Sequence, residues 1–163
     1  MELTQEYLKS RIHYCPETGA FTRLFKKGPK PIRAVHRVPH ARSDYIKIRL
    51  CGKKFYGHRL AWLYMTGETP TATIDHIDRN GLNNAWGNLR LATRSQQKSN
   101  MPARSDNTSG YKGVHLHKKT GKWMATIGHE GERQYLGLYS DVKDAAAAYN
   151  EKAKELYGEY AFG

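Results

Sequence analysis

The residues of this chain that could carry out a reaction lie between Asp75 and Asn100. Asp75 and His76 are adjacent, an Asn-rich loop follows, Asn88 comes twelve residues after His76, and an amide-rich segment around Gln97 closes the stretch. Carboxylate and amide oxygens suit a hard divalent cation, and an imidazole of near-neutral pKa can take a proton from an attacking water. This combination indicates metal-assisted hydrolysis of a phosphodiester.

The elements that must position these side chains can be read from the pattern around them. Residues 72–77 and 89–93 alternate as strands do, and the polar loop 78–88 joins them. Ser95 is a candidate N-cap for a short helix that begins at Gln96. The sequence therefore predicts a strand, a loop, a strand and a helix in that order.

That order resembles the HNH motif, or ββα-metal finger, in the form carried by phage and intron homing endonucleases. Residues 75–100 carry the resemblance, together with the preceding Gly57-His58-Arg59-Leu60-Ala61-Trp62 and an N-terminal Pro-Glu-Thr-Gly-Ala-Phe-Thr segment. The similarity covers about residues 4–101 and is densest over 57–100.

The resemblance implies a role for each matching residue. Asp75 corresponds to a metal-binding carboxylate, His76 to the general base, and Asn88 to the central Asn that holds the loop. Gln97 stands where the family usually has a metal-binding Asn or His, and Asn100, one helical turn later, is the alternative second ligand. The implied cofactor is one Mg²⁺ or Mn²⁺ ion, and no zinc is expected.

The C-terminal third resembles a second family, the AP2 DNA-binding domain, which is a three-stranded antiparallel sheet packed on one helix. The motifs occur in order over residues 110–161 and end in a helix with four consecutive alanines, 145–148. Residues 111–139 contain five basic and two acidic residues, whereas residues 140–163 contain three basic and five acidic ones, so the sheet is the expected DNA face. The implied DNA-binding residues are Lys112, His115, His117, Trp123, Thr126, Arg133 and Tyr135. For Trp123, packing beneath the sheet is the alternative.

The charge of the chain is concentrated at its N-terminal end. The 163 residues have a formal net charge of +12, and residues 1–60 contain 14 basic and 4 acidic residues. Pro and Gly interrupt the basic segment 26–54, so it is not one helix, and it is expected to follow the DNA backbone. A solvated basic loop is the alternative. The candidate DNA-binding residues here are Lys26, Lys27, Lys30, Arg33, Arg37 and Arg42.

The sequence therefore predicts an α+β protein. Residues 1–100 would form a basic region and a nuclease domain, 101–110 a linker, and 111–163 an AP2-like domain. Two distant cysteines exclude a disulfide scaffold, and the sequence contains neither a signal peptide nor an apolar segment long enough to span a membrane. We expect a monomeric protein of the bacterial host cytoplasm that binds double-stranded DNA.

The predicted function is a DNA endonuclease that hydrolyses phosphodiester bonds with one divalent metal ion, as a site-selective nicking or homing enzyme. The alternative is a DNA-binding regulatory protein with an inactive HNH site, which the Gln at position 97 would favour. RNA cleavage by the same motif is a third possibility, and the AP2-like segment argues against it.

Overall fold

The computed structural model describes residues 3–24, 30–31, 35–36 and 44–161. The chain divides into two compact units, Met1–Ala92 and Thr93–Gly163. This division precedes the segment 101–110 that the sequence predicts as a linker, and the short helix after residue 93 belongs to the second unit. Each unit combines helices with small antiparallel sheets, which confirms the α+β class.

The first unit begins with a short capped helix. The Thr4 side chain accepts a hydrogen bond from the backbone N–H of Tyr7, so Thr4 is the N-cap that its sequence position predicts. The spacing of Leu8 and Ile12 predicts a helix that continues to residue 14. The observed helix ends at Arg11 because Ile12–Tyr14 pairs as a strand with Phe21–Arg23.

The other elements of this unit follow in chain order, and the labels used below include the helix and strands just described. They are α1 (Gln5–Arg11), β1 (Ile12–Tyr14), β2 (Phe21–Arg23), β3 (Lys30–Pro31), β4 (Val35–His36), β5 (Tyr45–Leu50), β6 (Lys53–Tyr56), α2 (Gly57–Thr66), β7 (Thr73–His76) and β8 (Leu89–Ala92). A short 3₁₀ helix, Trp86–Asn88, precedes β8.

One apolar core supports these elements. Helices α1 and α2 contribute Leu8, Leu60 and Leu63 to it, and β7 and β8 contribute Ile74 and Leu89. Because β7 and β8 are anchored in the core through these residues, the polar residues beside them are held on a rigid base.

The second unit begins with α3 (Arg94–Asn100). The sequence predicts Ser95 as its cap, but the cap is Thr93, whose side chain accepts from the backbone N–H of Gln96 while the Gln96 side chain bonds back to the Thr93 backbone. This reciprocal capping box fixes two otherwise unpaired backbone donors and moves the helix start two residues earlier.

The predicted meander and its following helix are present. Strands β9 (Val114–His117), β10 (Lys122–His129) and β11 (Glu132–Tyr139) form an antiparallel sheet with β10 in the centre. Helix α4 (Val142–Tyr157) begins after the capping residue Asp141 and ends at Gly158. Alternate residues of the sheet face this helix, and their core comprises Val114, Ala125, Ile127, Ala145, Ala146, Tyr149, Ala153 and Tyr157.

Gly113 allows α4 to approach the sheet closely. Its φ of +71° is in the left-handed region, and a Cβ at this position would lie 2.2 Å from the ring of Tyr149. Any side chain here would therefore displace the helix. In the described part of the chain, the helices are all too short or too polar to cross a membrane.

Candidate active site

Two paired strands carry the residues that the sequence singles out. In the β7–β8 pair, Asp75 lies opposite Arg90 and His76 lies opposite Leu89. Asp75 and His76 are both buried, each 6% exposed. A carboxylate and an imidazole are thus placed side by side at the end of a short strand, with little access to bulk water.

The buried carboxylate of Asp75 is neutralised by a cation from the neighbouring strand. Nε and Nη2 of Arg90 each donate to Oδ2 of Asp75 at 3.1 Å. A buried charge is costly unless it is paired and hydrogen-bonded, so the guanidinium lets this carboxylate remain ionised in the interior. The pairing was not predicted from the sequence, although the cross-strand register places the opposite charges directly across from each other.

The ring of His76 is oriented by Asn84. Nε2 of His76 lies 3.3 Å from Oδ1 of Asn84, and Nδ2 of Asn84 donates to the carbonyl of Leu82. Because the amide nitrogen is directed to Leu82, its oxygen faces the ring, and Nε2 carries the proton when the ring is neutral. Burial lowers the pKa of His76, although Asn84, Asp78 and Asp75 oppose the shift.

Asn84 is itself fixed by the N-terminal part of the unit. The Tyr14 hydroxyl donates to the Asn84 carbonyl at 2.7 Å, and the Trp86 N–H donates to the Pro16 carbonyl at 2.8 Å. Gly19, at a φ of +69°, passes so close that a Cβ would lie 2.3 Å from the backbone of Asn84. The Pro-Glu-Thr-Gly segment therefore has a defined task, which is to hold the residue that orients His76.

Asn88 closes the loop between the two strands. Its Nδ2 donates to Oδ1 of Asp78 and to the carbonyl of Asn83, and its Oδ1 accepts from the Asp78 N–H. Asn83 also donates to Asp78, at 2.7 Å. Burial alone would raise the pKa of Asp78, but the hydrogen bonds from Asn83, Asn88 and the Asn80 N–H lower it overall.

An aromatic group surrounds His76. The ring of His58 lies 5.2 Å from that of His76 in an edge-on arrangement, and the rings of Tyr45 and Tyr56 lie 5.6 and 5.3 Å from His58. Burial lowers the pKa of His58 to about 3, with smaller contributions from the positive charges of His76 and Arg59. His58 is therefore a neutral packing group.

The candidate second metal ligands lie in the other compact unit. Gln97 is half-buried and Asn100 is buried, both on α3. The first unit thus contains Asp75, His76 and Asn88, whereas the residues proposed to complete the metal site belong to the second.

The open face of the second unit's sheet carries most of the predicted DNA-binding residues. Since Ala125 and Ile127 face α4, their neighbours in β10 face the other side. Thr126 pairs there with Tyr135, and the cross-strand pairs Lys122–His117, Met124–His115 and Gly128–Arg133 share that face. The side chain of Tyr135 on this face is 60% exposed.

Two residues predicted to bind DNA also make contacts within the second unit. Trp123 packs with Val114, Ala125 and Ala145 on the helix side of the sheet. Because side chains alternate along a strand, Trp123 lies on the same face as Ala125 and on the opposite face from Thr126. Nζ of Lys112 donates to the carbonyls of Lys98, Ser99 and Met101 at 2.6–2.7 Å. Trp123 thus has the packing position that the sequence analysis gives as its alternative, and the Lys112 ammonium caps the end of α3; the DNA-binding role of both residues stays a prediction.

The N-terminal basic candidates are described only in part. Lys30 is exposed and pairs with Arg23 across β2 and β3. Lys26, Lys27, Arg33, Arg37 and Arg42 lie outside the described residues, so their assignment stays a prediction.

Comparison with known proteins places this site in a family. The HNH endonuclease family model matches residues 55–98, which cover the end of β6, all of α2 and the whole β7–loop–β8 unit. Protein 3.8 of Escherichia phage T7 is 36% identical over 114 residues, which span 67% of this chain and 93% of that protein. The chain therefore belongs to the HNH endonuclease family.

Three further similarities are partial or distant. The uncharacterized HNH endonuclease L560 of Acanthamoeba polyphaga mimivirus is 35% identical over 64% of this chain and 54% of its own length. Dehydration-responsive element-binding protein 2C of Arabidopsis thaliana is 43% identical over 53 residues, 31% of this chain and 15% of that protein. A solved structure of DNA binding and cleavage by the HNH homing endonuclease I-HmuI has 24% identity and a TM-score of 0.43, covering 90% of this chain and 82% of that one.

HNH endonucleases generally use a divalent metal ion, and the chemistry of the donors here suits one. Within the described ranges, no three His, Cys, Asp or Glu side chains are arranged to hold a metal. Mg²⁺, however, is usually held by one or two carboxylates, with water and substrate phosphates completing its shell. The buried oxygen donor Asp75 fits that pattern.

Proposed function

We propose that this protein is a metal-dependent DNA endonuclease that cuts one strand at a time. The observation that carries the proposal is the placement of His76, held by Asn84, beside the buried carboxylate of Asp75 on one short strand. General-base catalysis requires an unprotonated ring in a fixed orientation, and an oxygen ligand must lie close to it. Both requirements are met within two adjacent residues.

Each residue has a separate role in the proposed reaction. His76 takes the proton of the attacking water at Nδ1, because Nε2 faces Asn84. Asp75 would hold the divalent ion, and Gln97 or Asn100 would be its second protein ligand. When bound, that ion supplies positive charge to the phosphate and to the leaving oxygen. Asn88 takes no part in proton transfer and keeps the loop closed.

We further propose that the open sheet face of the second unit binds duplex DNA, together with the basic segment 26–42. The sheet alternation brings His115, His117, Thr126, Arg133 and Tyr135 to one surface, a suitable arrangement for a β-ribbon in a major groove. The partial similarity to an Arabidopsis element-binding protein supports an AP2-like function for this segment.

The number of active sites in each chain indicates which cleavage product to expect. One His76 and one Asp75 form one active site per chain, so a monomer would break one strand in each event. We propose a site-selective nicking enzyme that uses Mg²⁺ or Mn²⁺.

The test is conversion of supercoiled plasmid to the nicked circle. Wild-type protein with Mg²⁺ or Mn²⁺ should nick the plasmid, and a chelator should stop it. His76→Ala should reduce the rate by about 10²–10⁴-fold, the usual contribution of a general base. His13→Ala is the matched control, since His13 is an exposed residue of β1, and it should retain the wild-type rate. Intact plasmid over a range of salt with either metal would reject the proposal.

One observation favours an alternative function. Arg90 already neutralises Asp75 through two hydrogen bonds, as it would in a protein whose site no longer binds metal. The same experiment separates the two functions, because tight, metal-independent and sequence-selective binding without nicking would identify a DNA-binding protein with an inactive site.

A further inference from the structure

A second cationic site lies in the first unit, apart from the β7–β8 strands. It is a cavity of about 340 Å³, and three of the eight described residues that line it are arginines. Arg11 ends α1, Arg23 ends β2 and Arg49 lies in β5. The described lining contains no carboxylate. Three arginines from three separate elements thus line one space.

The backbone fixes this arrangement. The Leu24 N–H donates to the Arg11 carbonyl at 2.8 Å, and Nη2 of Arg23 donates to the Arg49 carbonyl at 2.9 Å. The guanidinium of Arg11 also lies 5.4 Å from the centre of the Tyr7 ring, a cation–π distance. The three elements are therefore joined directly, and the cavity is part of the fold.

The strand register adds two more cations. Arg23 lies directly opposite Lys30 in the β2–β3 pair, and Arg49 lies directly opposite Lys54 in the β5–β6 pair. Like charges at directly opposed positions destabilise a sheet. Arg49 and Lys54 are thus like charges at opposed positions, and a bound polyanion would reduce their repulsion.

We propose that this cavity binds a phosphate of the DNA backbone. Guanidinium groups recognise phosphate oxygens through paired hydrogen bonds, and the volume is at the lower end of the range of ligand pockets. Arg11 and Arg49 are exposed, and Lys30 and Lys54 extend the charge across the surface, so neighbouring phosphates of the same strand can be reached. The inference rests on the proposed DNA-directed function and assigns it a contact outside the active site.

The test measures binding without metal, so that cleavage is not required. The full-length chain is titrated with a short DNA duplex at several salt concentrations, with Arg11→Gln/Arg49→Gln compared with wild type. Arg23 is left unchanged because it supports the Arg49 backbone. Losing this phosphate contact should weaken binding about tenfold at low salt and reduce the slope of log affinity against log salt by nearly one.

Control variants show whether a loss of DNA affinity comes from the missing arginine contacts, from unfolding or from a change in net charge. Lys143→Gln changes one charge on the exposed side of α4 and should leave the affinity within about twofold and the slope unchanged. Arg11→Lys/Arg49→Lys keeps the charge but not the paired geometry, so it should keep the slope and lose part of the affinity. Thermal unfolding of every variant checks that it is folded.

The outcomes distinguish this proposal from the endonuclease function. A flattened slope in the Gln variant supports the phosphate site even if the plasmid is never nicked. An unchanged slope in a folded Gln variant overturns the site even if nicking is observed. Inorganic phosphate is the second probe: if it raises the unfolding temperature of wild type but not of the Gln variant, while the DNA slope is unchanged, the ligand is free phosphate and the DNA assignment is wrong.

Discussion

The side-chain oxygen of Asn84 lies 3.3 Å from Nε2 of His76, and the backbone carbonyl of the same Asn84 accepts a hydrogen bond from Tyr14. One fully buried residue therefore connects the N-terminal β1–β2 hairpin to the candidate base. Because the Asn84 amide nitrogen is occupied by the Leu82 carbonyl, this connection selects the ring tautomer that leaves Nδ1 able to accept a proton.

Asn84→Leu should remove this selection while filling nearly the same space. We expect single-turnover nicking to fall about 10–100-fold, within the usual contribution of base catalysis, and the His76 ring to lose its preference for the Nε2-protonated tautomer. Nitrogen-15 NMR of the ring reports the tautomer independently of activity. Asn84→Asp retains an oxygen acceptor and should keep that tautomer, whereas an Asn84→Leu protein with the wild-type ring spectrum and rate would contradict this role.

The loop contacts of Asn88 can be tested by exchanging partners. Asn88→Asp removes the Nδ2 donor and puts a second carboxylate next to that of Asp78, so we expect a loss of about 1–3 kcal/mol in the free energy of unfolding. Adding Asp78→Asn restores a donor opposite an acceptor and should recover part of this loss. Urea unfolding of the two single variants and the double variant measures the coupling. Additive losses would mean that the Asn88–Asp78 hydrogen bond does not hold the loop.

The sequence predicts the elements well where local signals determine them. The three-stranded sheet of the C-terminal third, the alanine-rich helix after it and Thr4 as a cap all correspond to observed features. The ends of elements were less predictable. Residues 12–14 pair as a strand because residues 21–23 fold back beside them, and helical spacing cannot show that.

The site was predictable in its residue types but not in its contacts. Asp75, His76 and Asn88 could be selected from order and spacing, since these are properties of the chain. Arg90 and Asn84 became evident only from the cross-strand register and the packed N-terminal turn, which depend on contacts between distant residues. For Trp123 the sequence left DNA contact and packing beneath the sheet as alternatives, because a shift of one residue in a strand moves a side chain to the other face.

The Asp75–Arg90 pair should behave as a buried ion pair. Arg90→Met leaves a buried carboxylate without its cation, and breaking such a pair from one side typically costs about 3–5 kcal/mol. Arg90→Met combined with Asp75→Asn removes both charges and should recover much of that loss. Denaturant unfolding of wild type, the two single variants and the double variant, in the presence of a chelator, gives the coupling energy. Equal stability of Arg90→Met and the double variant would rule out a strong ion pair.

Lys112 should stabilise the second unit more than it binds DNA. Lys112→Met removes an ammonium that donates to three carbonyls, so we expect the unfolding free energy to fall by about 1–3 kcal/mol. Arg133→Met is the comparison, because Arg133 is exposed on the open sheet face. It should change stability by less than about 0.5 kcal/mol and reduce the salt slope of DNA binding by about one. If Lys112→Met instead leaves the unfolding free energy unchanged and reduces the salt slope of DNA binding, Lys112 contacts DNA.

His58 should make the first unit less stable in mild acid. Its pKa in the folded protein is lowered to about 3 by burial, then by the positive charges of His76 and Arg59, whereas in the unfolded chain it is near 6.5. Below pH 6.5 the unfolded state therefore binds more protons, and stability falls as the pH falls. The steepest contribution is about 1.4 kcal/mol per pH unit.

His58→Phe isolates this contribution from that of the carboxylates. Nδ1 of His58 has no hydrogen-bond partner among the residues that the structure describes, so replacing the ring by Phe breaks no hydrogen bond of that atom. The ring lies among Tyr45, Tyr56 and His76, where another aromatic ring can pack. Urea unfolding between pH 5 and 7.5 should give a shallower pH dependence for His58→Phe than for wild type. His13→Phe, at an exposed position, should keep the wild-type dependence. If His58→Phe also keeps the wild-type pH dependence, the His58 ring of the wild type becomes protonated in the folded protein. The conclusion that His58 is a buried, neutral group beside His76 would then be wrong.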